Sequence, residues 1–159
     1  MKSNDFNLSH FLPYRLAVLS ERVSKRLSSE YSEQFGLTTP EWRVMAHLSR
    51  SEKVSVREIH TNANLEKPRV SRAVAKLEKA GLVTKSVNEG DHRLIEVSLT
   101  PEGWKVLNQF LPNALELENS LLGTFSSEEV DQFYDMIERL HAVLDEDPKA
   151  APRPKMDKV

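Results

Sequence analysis

Apolar residues recur every three or four positions from Leu12 through Leu16, Leu19, Val23, Leu27 and Tyr31, which predicts one face of a long first helix. Pro13 suits the first turn, where no amide donor is needed, and Gly36 suits the C-terminal cap. Thr38-Thr39-Pro40-Glu41 then has the form of a capping box, and Trp42, Val44, Met45 and Leu48 supply the apolar face of a second helix. After the polar stretch 49–53, Ser55-Val56-Arg57-Glu58 repeats the box and opens a short helix around Ile59. Residues 62–65 suffice only for a turn. A further helix starts at 66–68 and runs through Val70, Val74 and Leu77 to Gly81. Two short helices joined by a tight turn have the spacing of a helix-turn-helix.

The period then changes. Segments 82–87 and 94–99 partly alternate apolar with polar positions and are rich in β-branched residues, while 88–93 between them is a turn cluster around Gly90. These features predict a β-hairpin with a charged tip. Thr100-Pro101-Glu102-Gly103 opens the next helix, with Thr as N-cap and Pro at the first helical position. Leu107, Phe110, Leu111, Ala114, Leu115 and Leu121 form its apolar side, Pro112 should kink it, and Gly123 ends it. A third box, Ser126-Ser127-Glu128-Glu129, leads into a last helix faced by Val130, Phe133, Ile137, Leu140 and Leu144. Beyond Asp145 the chain turns to Pro, Lys, Asp and Ala, which predicts a disordered tail over 146–159.

Composition narrows the function classes. With no cysteine, thiolate metal sites, disulfides and thiol nucleophiles are excluded. The five histidines include no pair at helical metal-ligand spacing, so neither metal nor cofactor is expected. Hydrolase and phosphate-loop motifs are missing, which argues against an enzyme. No apolar run approaches the ~20 residues of a membrane span and the N-terminus is too polar for a signal peptide, so a cytoplasmic protein without membrane contact is expected. The net charge of −2 hides an asymmetry. Residues 39–100 carry 11 basic and 8 acidic side chains, whereas 101–159 carry 6 and 12. Local sign decides where a polyanion docks.

The order helix, helix, short helix, turn, helix, hairpin is that of a winged helix-turn-helix. Val70, Val74 and Leu77 form the core face of the second helix of that motif, leaving Lys67, Pro68, Arg69, Ser71 and Arg72 free to meet base edges or phosphates in a major groove, and Lys76 to meet phosphate. Arg93 projects from the hairpin tip toward a minor groove, and Lys85 on the incoming strand could add a phosphate contact. Taken alone, the basic helix face could equally be a solvated surface, and Asp91 a turn-former beside Gly90.

Three motifs carry a resemblance. They are Gly36-Leu37-Thr38; Val70-Ser71-Arg72-Ala73-Val74-Ala75-Lys76-Leu77-Glu78-Lys79-Ala80-Gly81-Leu82-Val83; and Asp91-x-Arg93 followed by Val97-x-Leu99-Thr100 and Gly103. Over roughly residues 10–145 the chain resembles the multiple antibiotic resistance regulator (MarR) family of bacterial transcription factors. The resemblance implies a mainly α fold of six helices with a small β-hairpin wing. Residues 10–36 would be an N-terminal dimerisation helix, 38–100 the DNA-binding lobe, and 101–145 the C-terminal dimerisation helices. It gives Asp91 the task of orienting an arginine, and makes Phe125, Phe133, Ile137, Leu140 and Leu144 candidates for a homodimer interface. It further implies a small-molecule effector, for which Phe11, Tyr14, Arg15, Trp42 and Arg43 offer aromatic and cationic groups. The expected function is a ligand-responsive repressor on double-stranded DNA, with a pseudo-palindromic operator and an anionic aromatic compound or its acyl-CoA thioester as effector. The alternative is a winged-helix protein-interaction module that does not bind DNA.

Overall fold

The computed structural model describes residues 6–63 and 65–154. After a 3-10 turn at Leu8–His10, the elements follow as α1 (Leu12–Phe35), α2 (Thr39–Leu48), β1 (Val54–Ser55), α3 (Val56–Asn62), α4 (Lys67–Lys79), β2 (Val83–Val87), β3 (Ile95–Leu99), α5 (Pro101–Leu122) and α6 (Ser127–Asp145). The fold is mainly helical with a small antiparallel sheet. The expected hairpin is present, with Val83 opposite Leu99, Lys85 opposite Val97 and Val87 opposite Ile95. A third strand joins it: β1 pairs with the other edge of β3, Val54 facing Val97, to give the order β1-β3-β2.

Local signals account for most boundaries. Gly36 ends α1 at φ 64°, in the left-handed conformation that lacks the usual Cβ penalty. Complete capping boxes open α2, α3 and α6, as the Thr38/Glu41, Ser55/Glu58 and Ser126/Glu129 spacings predict. α5 continues through Pro112 as one helix. The turn expected over 62–65 is described except at Asn64, which lies outside the described residues.

Over the first part of the segment expected to be disordered, the structure shows local contacts. Residues 147–150 form a turn, and Arg153 folds back on α6, its guanidinium donating to both carboxylate oxygens of Glu138 at 2.7 and 2.8 Å. A bidentate ion pair of this kind can fix a Pro-rich segment that has no core residues of its own. Residues 155–159 lie outside the described residues.

One core unites the lobe. Val44, Met45 and Leu48 of α2, Ile59 of α3, Val70, Val74 and Leu77 of α4, and Val54, Val83 and Val97 of the sheet are all buried. Leu107 and Phe110 of α5 enter the same cluster. An aromatic trio joins α1, α2 and α5. Trp42 lies edge-on to Phe110, with ring centroids 4.2 Å apart, and Tyr31 stacks on Trp42 while its hydroxyl meets Thr39 Oγ1 at 2.7 Å.

The return from the wing is tied to the end of α4. Gly81 takes φ 75°, and the Thr100 hydroxyl donates to its carbonyl at 2.6 Å while accepting from the Gly103 amide at 3.1 Å. A Cβ on Gly103 would come within 2.0 Å of the Leu82 carbonyl oxygen, so α5 reaches the turn between α4 and β2 this closely only with glycine there.

Candidate nucleic-acid interface

α4 sorts its residues by side. Val70, Ala73, Val74 and Leu77 are buried, and Lys67, Pro68, Arg69, Ser71, Arg72 and Lys76 are all exposed. The exposed set forms a ridge with a depression on each flank. On one flank a groove of about 780 Å³ runs between α3, α4 and the wing, lined by Arg57 and His60 of α3, Lys67 and Ser71 of α4, and Lys85, Asp91 and Arg93 of the wing, among others. On the other flank a smaller hollow of about 270 Å³ is lined by Thr38, Pro40, Glu41, Arg69, Arg72, Ala73 and Lys76. Groups able to donate to phosphate thus lie on both sides of the helix that would enter a groove of DNA.

The sequence reading missed Arg57 and His60. They stand three apart on α3, on either side of the buried Ile59, but nothing local says that this side of a short helix faces the wing. The His60 ring is fixed by a contact of Nδ1 with the Leu65 carbonyl at 2.8 Å; because a carbonyl only accepts, Nδ1 is the donor.

Three cations already have acidic neighbours. Lys76 Nζ is 3.8 Å from Glu41 Oε1, Lys85 Nζ is 3.6 Å from Glu78 Oε1, and Arg93 Nε is 3.2 Å from Asp91 Oδ1. These distances are long or the groups exposed, so each pair is weak and leaves its cation available to a polyanion.

The wing tip is held by its own side chains. Asn88 Oδ1 accepts from the amides of Gly90 and Asp91, both at 2.8 Å, and Asn88 Nδ2 donates to Glu96 on β3. Asp91 Oδ1 accepts from both the backbone amide and Nε of Arg93, which holds its carboxyl below the usual carboxylate range. The orienting role expected for Asp91 therefore has a geometric basis. Arg93 keeps 91% of its side chain exposed.

The residues considered for an effector do not share one pocket within the chain. Trp42 stacks on Tyr31 near the end of α1, whereas Tyr14 lies 17 residues before Tyr31 on that helix, about 25 Å along its axis at 1.5 Å per residue. Phe11, Tyr14 and Arg15 are exposed at the start of α1, while Trp42 and Arg43 are half-buried. Trp42 and Arg43 instead line a shallow surface depression with Ala46, His47, Arg50 and Ala63. Joining the two groups would take a second protomer's α1.

α6 has no buried residue at all. Phe125, Phe133, Leu140 and Leu144 are exposed, together with Tyr134, Met136 and Val143, and only Ile137 of the expected interface set is half-buried. Leu12, Leu16 and Leu19 of α1 are likewise exposed. Among the described residues there is no cluster of three metal-ligating side chains and no helix long and apolar enough to cross a membrane.

Comparison with known proteins places these features. A profile of the MarR family matches residues 35–94. The uncharacterised HTH-type transcriptional regulator YwoH of Bacillus subtilis is 32% identical over 114 residues, covering 72% of this chain and 82% of that protein. The crystal structure of a MarR/EmrR family transcriptional regulator from Acinetobacter sp. ADP1 superposes with a TM-score of 0.79 at 27% identity, over 89% of this chain and all of that one. Bordetella bronchiseptica BpsR, whose DNA binding is regulated by 6-hydroxynicotinic acid, shares the fold at a TM-score of 0.77 and 17% identity, over 87% and 98% of the two chains.

Proposed function

This chain belongs to the MarR family of DNA-binding transcriptional regulators, and from that premise we propose that it acts as a ligand-responsive repressor, binding a pseudo-palindromic operator as a homodimer in the cytoplasm. The observation that carries the reading is the exposed ridge of α4 between two cation-lined depressions, with Arg93 at the wing beyond. One such ridge makes too few contacts for a specific site, so a two-fold pair reading two half-sites is the economical arrangement. The bare apolar face of α6 supports pairing, because a 19-residue amphipathic helix with nothing buried gains little from its own subunit.

For the effector we retain an anionic aromatic compound or its thioester, acting where the helices that would pair meet the lobe. BpsR supports this by analogy of fold only. Tyr14, Arg15 and Phe11 of one protomer would complete a site begun by Trp42 and Arg43 of the other.

A salt series of gel shifts tests DNA binding. Affinity for non-specific duplex should fall steeply with salt, and Lys76→Ala should flatten the log–log slope by about one while weakening all sequences alike. Arg72→Ala should lose about 1–3 kcal/mol on the cognate operator and much less on scrambled DNA. A salt-independent or absent interaction would favour the protein-interaction module instead.

A further inference from the structure

His60 stands near the end of α3, half-buried, as part of the wall of the groove beside α4. Its Nδ1 donates to the Leu65 carbonyl at 2.8 Å, across the turn that leads into α4. That contact fixes the tautomer. Neutral imidazole has one N–H, so with the proton on Nδ1 the other nitrogen, Nε2, carries only a lone pair. Moving the proton to Nε2 would leave two acceptors facing each other at 2.8 Å. Among the described residues nothing pairs with Nε2. The charged groups that share the groove with the ring are Arg57 of α3, Lys67 of α4, and Lys85, Asp91 and Arg93 of the wing. Asp91 is the one acid of this set, and its Oδ1 already accepts from the amide and Nε of Arg93. Glu58 caps its own helix at Ser55, and Glu66, exposed at the N-cap of α4, does not line the groove. The protein thus surrounds the ring with cations and offers it no free carboxylate.

We infer that His60 is a proton-coupled phosphate contact: when duplex DNA seats on α4, the ring takes a proton from solvent at Nε2 and donates that hydrogen to a phosphate oxygen, while Nδ1 stays on Leu65. The inference rests on the DNA-binding reading above and goes beyond it, since it makes affinity depend on pH through one named side chain. The place is right for such a contact. α3 is the first helix of the helix-turn-helix, and with the second in the major groove the first crosses the sugar-phosphate backbone. The lock at Nδ1 is what makes the coupling obligatory. A histidine able to switch tautomers donates to phosphate while neutral, and binding then takes up no proton. With Nδ1 committed, neutral Nε2 sets a lone pair against an anionic oxygen, whereas imidazolium brings both a donor and the opposite charge. One proton therefore leaves the buffer for each neutral ring that docks, and returns to it on release. Acid tightens the grip and alkali loosens it, over the range in which imidazoles change charge.

The test titrates the full chain with a mixed-sequence duplex at fixed low salt, from pH 6 to pH 8, by fluorescence anisotropy. A phosphate contact needs no cognate operator. Affinity should fall by about five-fold or more per docked protomer across that range. His60→Asn keeps a donor near the Nδ1 position but neither titrates nor reaches the phosphate, so its profile should be nearly flat at the weaker, alkaline affinity. His92→Gln removes the imidazole at the wing tip and should leave the wild-type profile in place. Calorimetry at pH 7 in buffers of different ionisation enthalpy counts the protons directly. Wild type should take up about half a proton or more per protomer, and His60→Asn almost none. Circular dichroism checks that each protein is folded, and His60→Gln replaces His60→Asn if the latter is not. A wild-type uptake indistinguishable from zero would overturn the proposal by itself, whatever the variants do. So would a pH dependence that survives in His60→Asn and vanishes in His92→Gln. Salt-sensitive binding that ignores pH would sink this contact and leave the DNA-binding reading standing, whereas no binding to duplex at any pH would overturn both.

Discussion

Single side chains divide between those that hold the fold and those held out from it. Arg93 belongs to the second kind. Its loss by Arg93→Ala should weaken operator binding while changing stability by less than about 0.5 kcal/mol, as measured by gel shift and thermal unfolding side by side. Asp91 feels the same contact from the other end. Its two hydrogen bonds from Arg93 favour the carboxylate, so the contact is intact above the ordinary aspartate range and is lost only as pH falls through a lower value. A carboxyl NMR titration should find the Asp91 midpoint below that of an unstructured peptide, and Arg93→Ala should move it back up. His47 is of the first kind, and its sign is opposite to that of a paired histidine. Burial disfavours its charged form and Arg50 adds to this, while Glu58 opposes both, leaving its pKa below the ordinary 6.5. The unfolded chain therefore takes up a proton that the folded one refuses, and stability falls as pH drops below about 6.5. Its share of that slope cannot exceed about 1.4 kcal/mol per pH unit. Urea melts between pH 7.5 and 5 should show the slope in wild type, and a shallower one in His47→Leu.

At the level of elements, caps and periodicity made nearly all of the helices legible, because each is specified by residues within four positions of its own ends. β1 was not legible. Two residues carry no alternation, and Val54 is a strand residue only because Val97, more than forty positions later, bonds beside it. Arg57 and His60 escaped for the same reason, since the wing that turns their side of α3 into a groove wall is specified elsewhere. Tyr14 and Trp42 lie apart within the chain on simple length, because they sit at opposite ends of α1 in space. Arg153 shows the same from the other end: composition gives no sign of its bidentate pair with Glu138 on α6. The α4–α5 junction offers a sharp test of such distant contacts. Gly103→Ala would drive a methyl group against the Leu82 carbonyl, a backbone atom that cannot rotate away, and should destabilise the lobe by about 3 kcal/mol. A thermal midpoint within a degree of wild type would mean that α5 can back away freely.

For the molecule as a whole, much of the exposed apolar surface lies on α1 and α6, with more on α5 and the wing. If α6 pairs with a second copy, Leu140→Glu should shift the protein to a monomer in sedimentation velocity at micromolar concentration. The same change should abolish tight operator binding while sparing weak, salt-sensitive binding to any duplex, because one lobe retains its cations but loses its twin. A dimer that survives both this change and Phe133→Glu would move the interface off α6.

The knot at Gly81, Thr100 and Gly103 has a mechanical consequence. With the Thr100 hydroxyl bonded across the junction and no room for a Cβ, the reading head is closely tied to α5, the shaft that carries it. α5 is 22 residues long, about 33 Å, so tilting it by ten degrees about its far end would carry the head through about 6 Å. If two copies read half-sites one turn of DNA apart, about 34 Å, a smaller displacement than that would throw them out of register. On the proposed reading, a small change of pitch at the distant end of α5 would then be enough to release the operator.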